Sequence, residues 1–476
     1  MEIVDHQNTK IVATVGPASS SYENLTALVK AGVDIFRLNF SHGTHDDHLQ
    51  VINRITYLNE KYGTHIGILA DLQGPKLRVG KMENEGIPIK EGDILTFVNE
   101  ECIGTMERIY MSYDLFARDV KVGERVLVDD GKIVLEVIET NGENEVKLKV
   151  LFGGVLKSRK GVNLPNTDIS LPSLTPKDER DLEFILTQPV NWIALSFVRS
   201  AKDMKDLTRR IEEKNHPAKT IAKIEKPEAV DKIDKIIKAS NGIMVARGDL
   251  GIEVPMERLP VIQKNIIEKC IQRARPVIVA TQMMDSMITN PSPTRAEITD
   301  VANAVFDGAD AVMLSGETSV GKHPVKVVEA MNKIIEEAEK RGVNTTRPIP
   351  SSKSRTFLSD AVCLNAAKTA IEVGAKAIVG MTSSGYTAFK VSSYRPPADI
   401  YIFSDRMHML ATLNLVWGVR CFYYDRFTTT DETIQDVTSI LHQAGRVKAG
   451  DIIINTASMP LHRRHRTNML KVTIVE

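Results

Sequence analysis

Two short apolar runs of the chain each lead to a carboxylate. The first covers residues 220–225 and ends on Glu225; the second covers residues 242–247 and is followed, after Gly248, by Asp249. A charged, helix-like segment separates them, so the pattern predicts two neighbouring parallel strands about 5 Å apart. The two carboxylates would meet at one edge of the sheet, where they suit a divalent cation such as Mg²⁺. Lys223, two residues before Glu225, points to the same side of its strand.

Strands of this kind recur along the chain, and each is followed by a helix-like pattern. Eight such units predict a (β/α)₈ barrel whose active face lies at the carboxyl ends of its strands. A doubly wound open sheet is the alternative. The predicted barrel strands are residues 10–15, 33–39, 65–71, 192–197, 220–225, 242–247, 276–281 and 310–315.

Polar and charged residues lie at the ends of most of these strands. Any one of them could be an ordinary loop residue, but their convergence on one face favours a site. Cationic groups beside a two-carboxylate metal site suit a phosphorylated substrate, with a guanidinium binding phosphate oxygens and an ammonium stabilising developing charge. The residues concerned are Arg37, Asn39, Ser41, Asp71, Lys223, Glu225, Arg247, Gly248, Asp249, Thr281, Gln282 and Ser315.

The strand–helix alternation is interrupted between residues 74 and 170. Short strands and turn signals such as Asp130-Gly131 and Asn141-Gly142 replace it, which predicts an inserted small β-barrel. An insertion after a barrel strand lies over the active face and can act as a lid. Proline and serine in residues 347–354 indicate a linker. We therefore predict a barrel domain (1–73 and 171–346), a lid (74–170) and a C-terminal α/β domain (354–476).

Two loops resemble phosphate-binding loops. Residues 316–323 have G-x-x-x-x-G-K spacing, but His323 stands where a Ser or Thr would bind Mg²⁺, so we interpret this stretch as an ordinary loop after a strand. A Ser/Thr-rich loop in the C-terminal domain opens a helix after a strand and could bind phosphate or simply cap the helix. Its polar residues are Thr382, Ser383, Ser384, Gly385 and Thr387.

The Ser/Thr-rich loop is far along the chain from the barrel residues, so phosphate bound there would define a separate regulatory site. Residues 459–468 carry Arg463, Arg464 and Arg466 and could close over it. A solvated charge run is the alternative.

The composition argues against several classes of protein. Lys and Arg together number 61, as do Asp and Glu, so net charge favours neither nucleic acid nor membrane. No apolar run approaches the roughly 20 residues of a membrane span, and the N-terminus lacks a secretory pattern. The scattered cysteines predict reduced thiols. We expect a cytoplasmic protein. The cysteines are Cys102, Cys270, Cys363 and Cys421.

Over essentially its whole length the chain resembles the pyruvate kinases. The motifs that carry this resemblance are residues 10–17, 36–43, 222–227, 244–251, 280–284 and 313–318. The resemblance implies a (β/α)₈ barrel, an inserted β-barrel and a C-terminal α/β domain. It also implies transfer of a phosphoryl group from phosphoenolpyruvate to ADP, with Mg²⁺ or Mn²⁺, and a homotetramer with a phosphorylated activator. The chain ends after the α/β domain, so we expect the bacterial form without an additional C-terminal domain.

The resemblance also implies residue roles. Glu225 and Asp249 would hold Mg²⁺, Arg37 would bind the transferring phosphoryl group, and Lys223 would stabilise the enolate. Thr281 would lie on the route by which the enolate is protonated. Substrate contacts would come from Arg37, Gly248, Asp249, Thr281 and Ser315. Nucleotide contacts would come from Asn39, His42, Arg78 and the lid residue Lys160.

The chain departs from the family pattern after the third strand. Many members read Asp-Thr-Lys-Gly-Pro-Glu there and require K⁺. Asn39, Ser41 and Asp71 of that cation site are present, but Leu72 replaces the Thr and Lys76 replaces the Glu. The Lys76 ammonium could take the place of K⁺, so we expect no K⁺ requirement. The alternative is that Lys76 points away and K⁺ still binds.

Three further questions stay open at this point. The Arg-rich stretch 459–468 differs from the Gly-rich loop of fructose 1,6-bisphosphate sites, which leaves ribose 5-phosphate, glucose 6-phosphate or AMP as activators. A Mg²⁺-dependent lyase or aldolase acting on a pyruvate enolate would share the metal site without needing a nucleotide lid. A catalytically idle metabolite sensor would need only the C-terminal loop, although the intact barrel residues argue against it.

Overall fold

A computed structural model of the chain describes residues 7–342, 348–426, 429–459 and 466–476. Its strands are β1 (Lys10–Thr14), β2 (Ile35–Asn39), β3 (Gly67–Asp71), β4 (Gly86–Ile89), β5 (Ile94–Val98), β6 (Ile109–Tyr110), β7 (Arg125–Val128), β8 (Ile133–Thr140), β9 (Glu145–Phe152), β10 (Gly154–Lys157), β11 (Val162–Asn163), β12 (Trp192–Leu195), β13 (Lys219–Ile224), β14 (Gly242–Ala246), β15 (Val277–Ala280), β16 (Ala311–Leu314), β17 (Ala377–Met381), β18 (Asp399–Ser404), β19 (Val419–Tyr423), β20 (Ile452–Ala457) and β21 (Met469–Ile474).

The helices alternate with the strands in the barrel and in the C-terminal domain. They are α1 (Tyr22–Lys30), α2 (His45–Tyr62), α3 (Phe116–Asp119), α4 (Pro176–Ile185), α5 (Ala201–Glu213), α6 (Pro227–Asp231), α7 (Ile233–Ala239), α8 (Arg247–Glu253), α9 (Leu259–Gln272), α10 (Arg295–Phe306), α11 (Gly316–Ser319), α12 (Pro324–Lys340), α13 (Phe357–Glu372), α14 (Tyr386–Ser393), α15 (Met407–Leu413) and α16 (Thr430–Gln443).

Eight strands form a closed barrel in the order β1-β16-β15-β14-β13-β12-β3-β2. Every neighbouring pair is parallel, and the interior strand residues are buried. This confirms the predicted barrel and excludes the open sheet. Because all eight strands run the same way, their carboxyl ends lie on one face, where the predicted site residues collect.

Several barrel helices begin where the sequence signals a cap. Ser21 accepts a hydrogen bond from the Asn24 amide at the start of α1, and Thr44 opens α2 with a capping box. Thr175 caps α4 in the same way, with Asp178 as the reciprocal partner. The Asp178 carboxylate also accepts a hydrogen bond of 3.1 Å from the Gly74 amide. One helix cap thus also fixes the point where the chain leaves the barrel for the insertion.

The inserted segment folds around its own apolar core. It contains a six-stranded sheet, ordered β11-β7-β8-β9-β5-β6, and a two-stranded sheet of β10 and β4. Arg78 forms a bridge with Gly161 beside β11, and Val79 forms one with Met111 beside β6. These bridges join the two edges of the larger sheet, so the segment closes into a small β-barrel, as predicted.

The C-terminal domain is a five-stranded sheet, ordered β19-β18-β17-β20-β21, with helices packed on it. It packs against the amino-terminal end of the barrel. Leu415, only 1% exposed, joins the apolar cluster that fills the barrel interior. The indole nitrogen of Trp192 donates a hydrogen bond of 3.1 Å to the Thr412 carbonyl. In the described ranges, no helix has both the length and the apolar character needed to cross a membrane.

The contact of Leu415 with the barrel interior leads to a stability prediction. Leu415→Ala removes a side chain that closes the base of the barrel, and we expect a loss of about 2–5 kcal/mol of unfolding free energy. Leu358→Ala is the matched control, because Leu358 is 79% exposed. Urea denaturation of both variants measures the difference; equal midpoints would show that Leu415 does not support the barrel.

Candidate active site

Four side chains of alternating charge form a row at the carboxyl end of the barrel. The Arg37 Nε atom lies 2.6 Å from Asp71 Oδ2, and the Lys223 ammonium lies 3.2 Å from Asp71 Oδ1 and 3.0 Å from Glu225 Oε1. Asp71 and Glu225 are each 1% exposed. Arg37 lies in β2, Asp71 ends β3, and Lys223 and Glu225 lie in and after β13. Closure of the barrel therefore brings this charge row together.

Neighbouring strand ends provide further hydrogen bonds to the charge row. Thr14 Oγ1 accepts from Arg37 at 3.0 Å, and Ser196 Oγ accepts from Lys223 at 2.7 Å. The Phe197 amide donates to Glu225 Oε2 at 2.6 Å. The sequence reasoning did not identify these three residues as members of the site. Their position at or just after the ends of β1 and β12 was the available signal.

Burial and ion pairing act against each other on the charges of this row. Burial disfavours the charged form of Asp71, but Lys223 and Arg37 outweigh it and hold the pKa of Asp71 below its usual value. Burial likewise opposes the charge of Lys223, yet Asp71 and Glu225 raise its pKa. Both groups are therefore charged at neutral pH. Lys223 is an ammonium donor under these conditions and not a general base.

The pKa of Glu225 is shifted in the opposite direction to that of Asp71. Burial raises its pKa, and the negative charge of Asp249 raises it further, although Lys223 works against both. Asp249 lies in the first turn of α8, directly after β14, which pairs with β13. A cation between the two carboxylates would relieve the repulsion that disfavours their joint ionisation.

These residues fit the Mg²⁺ site that the sequence predicts. Glu225 and Asp249 supply the oxygen ligands that Mg²⁺ prefers, and a pair of carboxylates leaves positions for substrate oxygens and water. Within the described ranges, no cluster of three or more His, Cys, Asp and Glu side chains is arranged for a metal. The Lys76 ammonium lies 3.9 Å from Asp249 Oδ1, so this lysine faces the same part of the cleft.

Thr281 is held in an unusual backbone conformation beside Asp249. Its φ is 71°, a region that β-branched residues rarely adopt. The Gly248 amide donates to Thr281 Oγ1 at 2.7 Å, and the Arg247 guanidinium donates to the Thr281 carbonyl at 2.7 Å. Arg247 also pairs with Asp300. Arg247 thus holds the strained backbone in place, whereas the sequence suggested only that it joined the polar face.

A cavity of about 730 Å³ opens beside the charge row. It is lined by Arg37, Asn39, His42 and Ser315, among others, and it continues along α2 as far as Arg54. The structure thus brings four predicted substrate and nucleotide residues to one cavity. Its volume is within the range of pockets that hold small-molecule ligands.

The two predicted nucleotide contacts of the lid have partners within the lid itself. Lys160 forms an ion pair of 2.8 Å with Asp129, and Arg78 donates to the Arg159 carbonyl at 3.1 Å. The predicted K⁺-site residues are also engaged. Asn39 Oδ1 accepts from the Ser41 amide at 3.1 Å, and Leu72 is buried.

The Ser/Thr-rich loop of the C-terminal domain lies between β17 and α14. Thr382 Oγ1 accepts from the Gly385 amide at 2.9 Å, and Gly385 has a φ of 80° at the helix N-cap. The buried Thr387 hydroxyl hydrogen-bonds Thr467 at 2.6 Å. Arg463 and Arg464 lie outside the described residues, whereas Arg466 donates to the Arg355 carbonyl.

The site belongs to a recognisable class. A closed (β/α)₈ barrel with two carboxylates, buried cations, a ligand-sized cavity and an inserted lid has the components of a Mg²⁺-dependent phosphoryl-transfer enzyme. The model of the pyruvate kinase barrel domain matches residues 6–328, and the model of the pyruvate kinase alpha/beta domain matches residues 360–473.

Individual relatives agree with these matches. A pyruvate kinase of Geobacillus stearothermophilus is 43% identical over 98% of this chain and 80% of its own. One of Corynebacterium glutamicum is 42% identical over 98% of both chains. The crystal structure of a pyruvate kinase from Cryptosporidium parvum is 33% identical and superposes with a TM-score of 0.92, covering 99% of this chain and 97% of that one.

The chain belongs to the pyruvate kinase family. Its reaction is the transfer of a phosphoryl group from phosphoenolpyruvate to ADP, giving pyruvate and ATP, and this chemistry depends on Mg²⁺. The lyase, aldolase and idle-sensor alternatives are therefore set aside.

The charge row gives a prediction about Asp71. Asp71→Asn leaves Arg37 and Lys223 facing a neutral amide in a buried site, and we expect a loss of roughly 3 kcal/mol of unfolding free energy. A carboxyl group whose pKa is lowered on folding contributes its full stabilisation at pH values above its usual pKa of 3.8. That contribution is lost as the pH falls below 3.8 towards the lowered pKa of the folded state. The loss should therefore be constant from about pH 5 to about pH 8. Urea denaturation across this range measures it, and a loss that grows or shrinks there would contradict the ion pairing.

Proposed function

We propose that the barrel residues divide the reaction as follows. Arg37 binds the transferring phosphoryl group, and Glu225 and Asp249 hold Mg²⁺. When bound, Mg²⁺ supplies positive charge that orients and neutralises phosphate oxygens. The Lys223 ammonium stabilises the negative charge that develops on the enolate oxygen as the phosphoryl group leaves. The observation that carries this proposal is the Lys223 ammonium, on a side chain only 11% exposed, between Asp71 and Glu225.

The remaining contacts with the substrate would come from the same carboxyl-end face of the barrel. The Gly248 amide, Asp249 and the Thr281 hydroxyl surround the position proposed for the substrate carboxylate, with Ser315 on the cavity wall. Thr281 lies on the route by which the enolate is protonated. Its strained backbone supports this role, because such strain is typical of functional positions.

Replacement of Lys223 tests the catalytic proposal. Lys223→Met removes the ammonium but keeps an unbranched side chain, so we expect kcat to fall roughly a hundred- to a thousand-fold. Lys219→Met is the matched control, because Lys219 begins the same strand at the opposite end of the barrel. We expect the control to retain kcat within about two-fold, since residues at that end support stability. A lactate dehydrogenase-coupled assay measures both; similar losses would remove Lys223 from the chemistry.

We also propose that ADP occupies the cavity beside the charge row. Asn39 and His42 contact it from the barrel, while Arg78 and Lys160 contact it from the lid. The support is the shared cavity of Asn39, His42 and Arg37. The Lys160 ammonium is now paired with Asp129, so lid closure would exchange this partner for nucleotide phosphates.

A further proposal concerns monovalent cations. Asn39, Ser41, Asp71 and Leu72 occupy the positions of the K⁺ site in related enzymes, and Lys76 supplies the charge that K⁺ provides there. The support is chemical: Leu72 has no side-chain oxygen ligand, Asp71 is neutralised by its own cations, and the Lys76 ammonium lies 3.9 Å from Asp249.

Activity without K⁺ tests this proposal. We expect unchanged turnover when K⁺ is replaced by Na⁺ or a tetraalkylammonium ion. Lys76→Met should lower turnover in K⁺-free buffer roughly ten-fold, because the ammonium beside Asp249 is lost. Lys81→Met, at an exposed lid position, is the control. A large loss in the native protein without K⁺ would overturn the proposal.

The C-terminal loop is proposed as the site of a phosphorylated activator. Thr382, Ser383, Ser384, Gly385 and Thr387 would bind its phosphate at the start of α14, where backbone amides favour anions. The coupled assay with ribose 5-phosphate, glucose 6-phosphate, AMP and fructose 1,6-bisphosphate identifies the activator, and Ser384→Ala should weaken its effect without changing basal turnover.

Three organisational features complete the proposal. We place the domain limits at residues 1–73 with 171–346, 74–170 and 354–476, which is consistent with lid strands that begin at β4 and end at β11. We propose a homotetramer in the cytoplasm. Size-exclusion chromatography with light scattering tests the assembly.

A further inference from the structure

The lid returns to the barrel through a buried polar cluster. The Asn163 side-chain amide donates to Glu253 Oε1 at 2.9 Å, and the Lys226 ammonium lies 2.8 Å from the same oxygen. All three residues are nearly inaccessible to solvent: Asn163 is 9% exposed, Glu253 is 4% exposed and Lys226 is 5% exposed. We refer to Asn163, Lys226 and Glu253 as the lid anchor.

The lid anchor joins three segments that each contain a residue proposed to take part in the reaction. Lys226 directly follows Glu225, and Glu253 lies four residues after Asp249 at the end of α8. Asn163 lies three residues after Lys160 at the end of β11. The anchor therefore connects the barrel segments that bear the two metal carboxylates to the lid segment proposed to reach the nucleotide.

The chain between Lys160 and Asn163 leaves little freedom of movement. Three residues of extended chain span about 10 Å, and this stretch is tied to the first lid segment. The Val79 amide donates to the Lys160 carbonyl at 3.0 Å, and the Val162 amide donates to the Leu77 carbonyl at 2.9 Å. Fixing Asn163 thus fixes the distance range within which Lys160 can act.

The anchor is costly to break. Hydrogen bonds to a buried carboxylate are stronger than neutral ones, and separation would leave a buried charge without its partner. Lys226 also lies within 3.4 Å of the Leu164 carbonyl, the next residue of the returning chain. Rotation of the lid is therefore expected about this point, with the anchor retained.

We propose that Asn163, Lys226 and Glu253 are positioning residues that hold the lid where Lys160 meets the nucleotide. This inference rests on the proposed role of Lys160. The three anchor residues do not line the cavity proposed for ADP, so they would act through the position of Lys160. Their loss should therefore weaken the use of ADP much more than the use of phosphoenolpyruvate, which we propose binds on the barrel.

Asn163→Leu tests the positioning role, because it keeps the number and branching of the side-chain heavy atoms and removes the hydrogen bond to Glu253. We expect KM for ADP to rise roughly ten-fold, with KM for phosphoenolpyruvate within about two-fold. Hydrogen–deuterium exchange of residues 159–164, measured without substrates, should become faster. Asn166→Leu is the matched control, since Asn166 is an exposed residue of the same returning segment. It should change neither measurement.

A second variant separates positioning from folding. Lys226→Met combined with Glu253→Leu removes both charges, which a buried site tolerates better than the loss of one. We expect the same rise in KM for ADP from this double variant. It also keeps the test decisive if Asn163→Leu does not fold. Unchanged KM for ADP, or equal increases for both substrates, in a folded anchor variant would overturn the proposal.

Lys160→Met distinguishes failure of this inference from failure of the nucleotide assignment. If Lys160→Met raises KM for ADP while the anchor variants do not, the anchor is structural only and the inference is wrong. If Lys160→Met leaves KM for ADP unchanged, the proposed role of Lys160 fails, and the inference fails with it.

Discussion

The structure depends on a row of alternating charges in the mouth of the barrel. Arg37, Asp71 and Glu225 are buried and Lys223 is largely so, and each lies within ion-pair distance of the next. A buried charge is expensive unless it is paired, and the loss of one member would leave the others uncompensated. The row therefore favours the charged forms of Asp71 and Lys223 and holds the four side chains in position. The two cations and two carboxylates of the row are thus arranged in the absence of any ligand.

The charge row explains what each of the three domains contributes to the site. The closed barrel keeps β2, β3, β12 and β13 in succession, which the charge row requires, and Leu415 of the C-terminal domain closes its other end. The lid has its own apolar core and is joined to the barrel by two chain segments. Its returning segment is held by Lys226 and Glu253, next to the two carboxylates proposed to hold Mg²⁺. The lid and the barrel site thus meet at the ends of β13 and α8.

Much of this organisation could be predicted from the sequence. The eight barrel strands are short apolar runs, and helix starts such as Thr44 and Thr175 follow from local capping rules, because both signals act over a few residues. Glu225 and Asp249 could be paired because consecutive strands of a barrel are neighbours. The inserted β-barrel was evident from its turns, although its closure through Arg78 and Val79 was not.

The remaining features depend on contacts between segments far apart in sequence. Ser196 and Phe197 support Lys223 and Glu225 from the end of a different strand, β12, and their position just after that strand is the only local signal that marks them. Arg247 is a similar case, since its role follows from the strained backbone of Thr281. The link from Asn163 to Glu253 spans 90 residues. Such contacts are set by the packing of segments that are distant in sequence, and the hydrophobic periodicity of the sequence does not reveal them.

The most direct test of the account is pyruvate formation from phosphoenolpyruvate with Mg²⁺, measured with and without ADP, in the native protein and in Glu225→Gln. The account predicts one ATP for each pyruvate in the native protein, negligible pyruvate without ADP, and loss of most activity in the variant. Pyruvate release that does not require ADP, or a variant as active as the native protein, would contradict it.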